Sequence, residues 1–332
     1  MEMNEFQKKV EKAMKEYAGE DRILNFTRVR KNNGILLTGV SCFAAGSNIT
    51  PTVYLEEYLE RYNEGETFGS VMRRIIQTLE QSSMQTGFDV DDFQLWENAK
   101  DRIAYKLINA DKNRELLDEV PHIKLMDLAL VFYYLLGEES FGHATILIYK
   151  SHMEHWGVSA EELYACAHSN TRRLLPEALQ DMAELMREIF LEDVKRKLKE
   201  KGEEDGEELR CADMLADEML KVAMDGREDI PMYVLSNRTR YFGAAALLYP
   251  GVLRDFAEQL GRDLYILPSS VHEVILLPDD GLEEPGRLNE MVREVNATQV
   301  PAEEILSDRV YYYDRRKDEL RPVEQDVLAD AL

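Results

Sequence analysis

Positive charge is what this chain has least of for its size. Its 332 residues carry 40 Lys and Arg against 64 Asp and Glu, a formal net charge of −24. A chain so acidic repels nucleic-acid phosphates unless a local basic patch overrides the field. The densest basic run is Lys195 to Lys197 with Lys199 and Lys201. It falls at the end of an expected helix, where it complements the helix dipole. The cluster Arg238-Thr-Arg240 followed by Tyr241-Phe242 is too small to bind a nucleic acid against that charge. Cysteine is scarce as well: Cys42, Cys166 and Cys211 lie far apart and no CxxC occurs. Three scattered thiols fit a reducing compartment and act as small apolar side chains. The longest apolar run, residues 128–136, is half of the roughly twenty residues a membrane helix needs. The chain is charged from Glu2 onward, with no signal-peptide core. These features give a cytoplasmic expectation with no membrane.

The motifs of common chemistries are missing too. Neither GxGxxG nor GxxxxGK[ST] occurs, which argues against a nucleotide bound by a glycine-rich loop. There is no GxSxG elbow. No cofactor is expected, and no metal ligand or catalytic residue is assigned.

What is present is a well-structured composition, 45% hydrophobic and 31% charged. That is ample for a buried core. Residues 4–18 place Phe6, Val10, Met14 and Tyr17 on one helical face. Residues 22–29 and 35–43 read as a hairpin around the 31–34 turn. Thr50-Pro51 reads as a helix start, and 68–81 as a further helix. Strands are expected over 102–109, 125–136 and 144–150, with a turn at 137–140. Ser159 and Glu162 form a capping box before a helix that runs to about Arg173.

Pro176 is read as opening a long helix over 177–200. The acidic stretch from Gly202 to Glu208 then reads as a linker. On the following helix, Met214, Leu215, Met219, Leu220 and Met224 recur at helical spacing. Such residues either fill core, the preferred reading, or line an adaptable binding groove. Beyond Pro231, short strands are expected at 232–235, 240–242, 263–267 and 272–277, with helix over 243–260 and 285–295. A closing hairpin is expected at 310–313 and 320–323. The element order strand, turn, strand, helix occurs both at 125–173 and at 263–296, without residue identity.

The fold class is therefore α+β, with mixed sheets and flanking helices. Two lobes are expected, an N-terminal one over 1–200 and a C-terminal one over 231–332, joined by the acidic linker and helix of 201–230.

Three constellations hold reactive side chains. Ser270, His272 and Glu273 have the residue types of a nucleophile, a base and an orienting acid. If 272–277 is a strand, His272 and Glu273 point to opposite faces and no triad forms. A turn serine and a strand-edge histidine explain the same letters; the functional alternative for Ser269, Ser270, His272 and Glu273, ahead of catalysis, is contact at the rim of a groove. His143, His152, His155 and His168 form a second group. His152 and His155 could share a zinc ion only on a helix, and a strand end is expected there. The paired carboxylates Asp91-Asp92 and Asp279-Asp280 sit in turn-like contexts, where aspartate is favoured anyway.

Several segments resemble a known group. They are Tyr233-Val-Leu-Ser-Asn237, Gly243-Ala-Ala-Ala-Leu247, Tyr249-Pro250, and Leu264-Tyr-Ile-Leu-Pro-Ser-Ser270 with His272-Glu273. Val131-Phe-Tyr-Tyr134, Trp156 and residues 165–170 fit the same group. The chain resembles an uncharacterised bacterial domain-of-unknown-function family common in anaerobic gut bacteria. A second family, widespread in Gram-positive bacteria, has a similar element order. The resemblance implies a cytoplasmic bacterial α+β protein and assigns no activity or site. The leading expectation is a non-enzymatic module that binds another protein. The alternatives are a hydrolase or metal-dependent enzyme using His272 and Glu273 or the 143–168 histidines, and an acidic decoy that imitates DNA.

Overall fold

The computed structural model describes residues 1–19, 22–44, 52–83, 90–136, 145–201, 206–224, 231–282 and 284–323. In chain order, α1 (Met3–Ala18) leads into the hairpin β1 (Arg22–Arg30) and β2 (Leu36–Ala44). Next come β3 (Val53–Tyr54), α2 (Leu55–Asn63), α3 (Phe68–Ser83), α4 (Val90–Gln94) and α5 (Trp96–Ala99). The middle of the chain holds β4 (Ile103–Asn109), α6 (Arg114–Glu119), β5 (His122–Leu125), β6 (Leu128–Leu135) and β7 (Thr145–Leu147). Then follow α7 (Lys150–Trp156), α8 (Ala160–Leu174), β8 (Glu177–Asp181), α9 (Met182–Lys201) and α10 (Gly206–Met224). The chain continues with β9 (Tyr233–Asn237), a 3-10 segment over Gly243–Leu248, α11 (Val252–Leu260), β10 (Leu264–Leu267) and β11 (Val274–Pro278). It closes with α12 (Pro285–Thr298), β12 (Tyr311–Asp314) and β13 (Glu319–Pro322). Helices with three antiparallel sheets make this an α+β fold.

Two compact units divide the chain. The first holds residues 1–104, 112–122 and 132–170; the second holds 105–111, 123–131 and 171–332. Residues 201–230 fall wholly in the second unit, together with α9.

In the first unit, Phe6, Val10, Met14 and Ala18 recur every fourth residue on α1, and all four are buried. Phe6, Val10 and Met14 pack with Val40, Val53, Leu55, Val71, Ile75 and Leu79. Each large side chain so buried contributes about 1.5–3 kcal/mol. The sheet beside them runs β1-β2-β3, with Phe26 opposite Val40 in the hairpin register. The helix read as opening at Thr50-Pro51 starts later, at Leu55, after the short strand β3. Pro51 lies outside the described residues. The capping box on α8 forms: the Glu162 amide donates to Ser159 Oγ at 3.2 Å, and the Ser159 amide donates to Glu162 Oε2 at 2.9 Å.

The middle sheet has the order β4-β6-β5, with β7 added beside β6. The strand expected over 125–136 is β6, which begins later, at Leu128, after the separate strand β5. Met126 takes a left-handed φ of 56° at the bend between β5 and β6. The turn read at 137–140 lies outside the described residues.

In the second unit, a six-stranded sheet runs β13-β12-β10-β11-β9-β8. Every strand pair given a register in it is antiparallel. β8 corrects the long helix read from Pro176. Residues 177–181 pair with β9, Leu179 opposite Leu235, and the helix begins only at Met182. Pairing along a sheet edge overrides helical propensity over those five residues. The strand read at 240–242 is likewise absent. Arg240 and Phe242 hold left-handed φ values of 54° and 56°, which ends β9 in a tight turn.

The core reading of α10 fails. Met214 is 67% exposed and Met219 38%, with Leu215 and Val222 also on the surface. Among the described residues of this helix, which packs beside α9, the buried ones are the small Ala212 and Ala216.

Candidate functional site

Proline ends β10 at position 268, and the chain turns through 269–273 before β11 begins at Val274. His272 and Glu273 therefore belong to a turn, which corrects the expected strand and its opposite-face geometry. The turn is closed by its own side chains. Ser270 is buried, and its hydroxyl donates to Glu273 Oε1 at 2.6 Å while accepting the His272 amide at 3.0 Å. The Val271 amide donates to the Glu304 carbonyl at 2.8 Å.

The His272 ring points away from the serine hydroxyl. Its Nδ1 accepts the Phe242 amide at 3.2 Å. The Phe242 ring stacks on it at 5.8 Å and 7°. The imidazole Nε2 lies 3.6 Å from Glu304 Oε1. Serine and glutamate are brought together, and the histidine is not joined to them. A serine nucleophile needs the base on its own hydroxyl. Here that hydroxyl is spent on a carboxylate, so the geometry describes a locked corner.

The second histidine group is also resolved into structure. His152 and His155 sit on helix α7, where a strand end was expected. The His152 Nδ1 accepts the Tyr149 amide at 3.1 Å, capping the helix. Its ring packs against Phe93 at 5.1 Å and Trp156 at 6.0 Å. Among the described residues no group of three or more His, Cys, Asp or Glu side chains is placed to hold a metal ion. His143 lies outside the described residues, as does the side chain of Asp91. Asp279 and Asp280 each accept a backbone amide two residues on, closing a surface turn.

Burial, with help from the His155 charge, holds the His152 imidazole below its ordinary range. The neutral ring is the one that caps α7, because a protonated Nδ1 has no lone pair to accept with. A histidine depressed in the folded state supports the fold fully above its unfolded pKa of about 6.5 and loses that support as pH falls through the folded value. Thermal unfolding, followed by the fluorescence of Trp96 and Trp156, is expected to weaken below that pH in the wild type. His152→Gln, which still offers an acceptor but does not titrate, should flatten that part of the curve. An unchanged pH profile in the variant would remove the capping role.

A cleft of about 310 Å³ opens in the second unit. Met182 and Met186 of α9, Met232 before β9, and Met291 of α12 supply four methionines to its wall. Leu267 and Ile275 form the sheet side, and Val292 and Val295 add to the helix side. The polar members are Ser269, Asn296 and Gln299. Met291 is 41% exposed, so the wall opens to the surface. On α10, Leu215, Met219 and Ala223 lie one turn apart on one face, and Ala223 lines the cleft. An apolar stripe thus leads along α10 to the cleft. Of the four residues expected at a groove rim, Ser269 alone lines this cleft; Ser270, His272 and Glu273 build the corner behind it. The sequence signal for the cleft was the 14 methionines of the chain, an unbranched, polarizable residue suited to adaptable surfaces. Their convergence from three separate segments, α9, the approach to β9 and α12, is not written in any local spacing.

Among the described residues no helix is long and apolar enough to cross a membrane. No curated protein and no solved structure matches the chain. One family model, described as a family of unknown function, matches residues 3–315, nearly the whole length. The chain therefore belongs to the DUF5688 family.

Proposed function

We propose that this protein is a non-catalytic binding module whose second unit takes an apolar segment of another protein into the methionine-lined cleft. The observation that carries the reading is the cleft itself: four methionines from three chain segments around 310 Å³, fed by an exposed apolar stripe. Methionine-rich surfaces adapt to apolar anchors of varied shape. Exposed apolar patches rimmed by polar residues mark interaction sites. On α10 the exposed Met214, Leu215 and Met219 alternate with Asp213, Asp217 and Glu218, and the whole chain carries −24. The complementary partner is a basic amphipathic helix that lays its apolar face into the groove. A cytoplasmic location and a bacterial origin belong to the same reading, motivated by the cysteine pattern and the family resemblance.

The test is selection of random peptides displayed on phage against the immobilised full chain. Selected peptides are expected to carry apolar anchors at i, i+3 or i+4, and i+7, with Lys or Arg between them. Met291→Glu should weaken their binding by about tenfold or more, since a charge is forced into an apolar wall. Leu36→Glu, at a 53% exposed position of β2, should leave binding unchanged. Peptides that bind the Met291 variant as well as the wild type, or no selection at all, would overturn the reading.

A further inference from the structure

The cleft wall holds one buried polar group whose needs an apolar anchor alone does not meet. Asn296 on α12 is 3% exposed and lines the cleft. Its Nδ2 donates to the Ser307 carbonyl at 2.9 Å and to Asp308 Oδ1 at 2.9 Å. Both partners accept, so the orientation of the amide is fixed: exchanging its oxygen and nitrogen would set oxygen against two oxygens. The other edge of the amide, Oδ1, is buried with no partner among the described residues. Buried amide oxygens are almost always matched, and each exception asks for an explanation.

The remaining wall narrows the explanation. None of the residues that line the cleft is charged; the polar ones are Ser269 and Gln299 besides Asn296. A carboxylate or phosphate would meet no cation there, and would set a further acceptor against Oδ1. An ammonium or guanidinium head would lose its hydration without gaining a carboxylate from the wall. A purely apolar group would leave Oδ1 as it is. A volume of 310 Å³ is at the small end of the ligand-site range of about 300–1,000 Å³, the scale of one or two fused rings. Oδ1 is covered in this structure. The methionines that share the cleft wall with Asn296 are unbranched and rotate at low cost.

We infer that the group this cleft takes is an aromatic ring system bearing a single neutral N–H donor, an indole, which donates to Asn296 Oδ1 while its rings lie among the methionines. The inference rests on the binding reading above and names its anchor, the tryptophan side chain of the partner. Tryptophan pairs a large apolar body with one donor, and it is enriched among residues that dominate interface energetics.

The probes are 3-methylindole and 3-methylbenzothiophene, matched in shape but differing in the N–H. Each is titrated into the full chain labelled with ¹³C at the methionine methyls, resonances being assigned by single Met→Leu variants. The methyls of Met182, Met186, Met232 and Met291 are expected to shift. 3-Methylindole should bind about tenfold more tightly than the donor-free probe, the scale of one hydrogen bond to a buried acceptor. Asn296→Leu should abolish that preference; if this variant does not fold, the comparison of the two probes on the wild type stands alone. Equal affinity of the two probes overturns the inference, as does a titration in which those four methyls do not move. Equal affinities alongside peptide binding that Met291→Glu weakens would sink the indole and leave the binding reading intact. Peptides indifferent to Met291→Glu would sink the binding reading on its own evidence.

Discussion

Gly243→Ala is expected to cost about 3 kcal/mol or more of folding stability, the upper part of the range for forced overpacking. Urea unfolding of the wild type and variant at matched pH measures it. A Cβ on Gly243 would overlap Ser236 Oγ and come within 2.5 Å of the Asn237 amide nitrogen and 2.6 Å of the His272 carbonyl oxygen. Two of the three obstacles are backbone, one at the end of β9 and the other in the 268–273 turn, and neither moves without disturbing the sheet. Ser236 Oγ also donates to that same His272 carbonyl at 2.8 Å, a bond the added methyl would displace. The residue just before, Phe242, already holds a left-handed φ of 56° and anchors the His272 ring, so the corner has little freedom to yield. Gly69→Ala, at the start of α3 where nothing lies within 4 Å of the new methyl, serves as the control and should change stability by less than about 1 kcal/mol. A Gly243 variant that unfolds at the wild-type urea concentration would show that the two backbone segments do not meet there.

Asp127→Ala is expected to destabilise by about 3 kcal/mol, as hydrogen bonds to a charged acceptor contribute about 1.5–3 kcal/mol each and two are lost. The Asp127 carboxylate accepts Ser307 Oγ at 2.6 Å through Oδ2 and Tyr311 Oη at 2.8 Å through Oδ1. Ser307 and Tyr311 are both fully buried, so each hydroxyl would be left without its acceptor and without water. Burial and the nearby Asp127 charge push the Tyr311 phenol well above its ordinary range, which keeps it a donor at pH 7. Asp127→Asn retains one acceptor oxygen and should fall between wild type and alanine. Denaturant unfolding at pH 7 decides the order, and an alanine variant within about 0.5 kcal/mol of wild type would refute the network.

Local signals in this chain were read correctly where one element satisfies itself. Of the face read from Phe6, Val10, Met14 and Tyr17, the first three are buried on α1 and Tyr17 is partly buried, because a helix carries its own hydrogen bonds and needs only one apolar stripe. The capping box of Ser159 and Glu162 forms as the spacing demands. The hairpins β1–β2 and β12–β13 fold around the expected turns. Errors gather where a distant segment competes. Residues 177–181 have the composition of a helix and become a strand because β9 offers an open edge. The strand read over 125–136 begins only at Leu128, because the chain bends at Met126, a bend that carries Asp127 to partners some 180 residues away.

The site shows the same division. Ser269, Ser270, His272 and Glu273 attract attention by residue type, yet three of the four build a corner whose bonds depend on Phe242 and Glu304. The methionines of the cleft stand at positions 182, 186, 232 and 291, too far apart for any periodicity to join them. Met214 and Met219 match a core pattern as well as any buried helix does, yet they are exposed while the small Ala212 and Ala216 of the same helix are buried.

By itself the sequence determined the acidic charge, the absence of the glycine-loop and nucleophile-elbow motifs, the α+β class and most element positions. These follow from composition and from interactions within a few residues. The tertiary structure alone decided which apolar faces are covered, which serine meets which carboxylate, and that an asparagine oxygen is left unmatched beside a methionine-lined cleft. Burial and hydrogen-bond pairing are properties of neighbours in space, and in this chain those neighbours are set by sheet order and by segments as far as 197 residues apart.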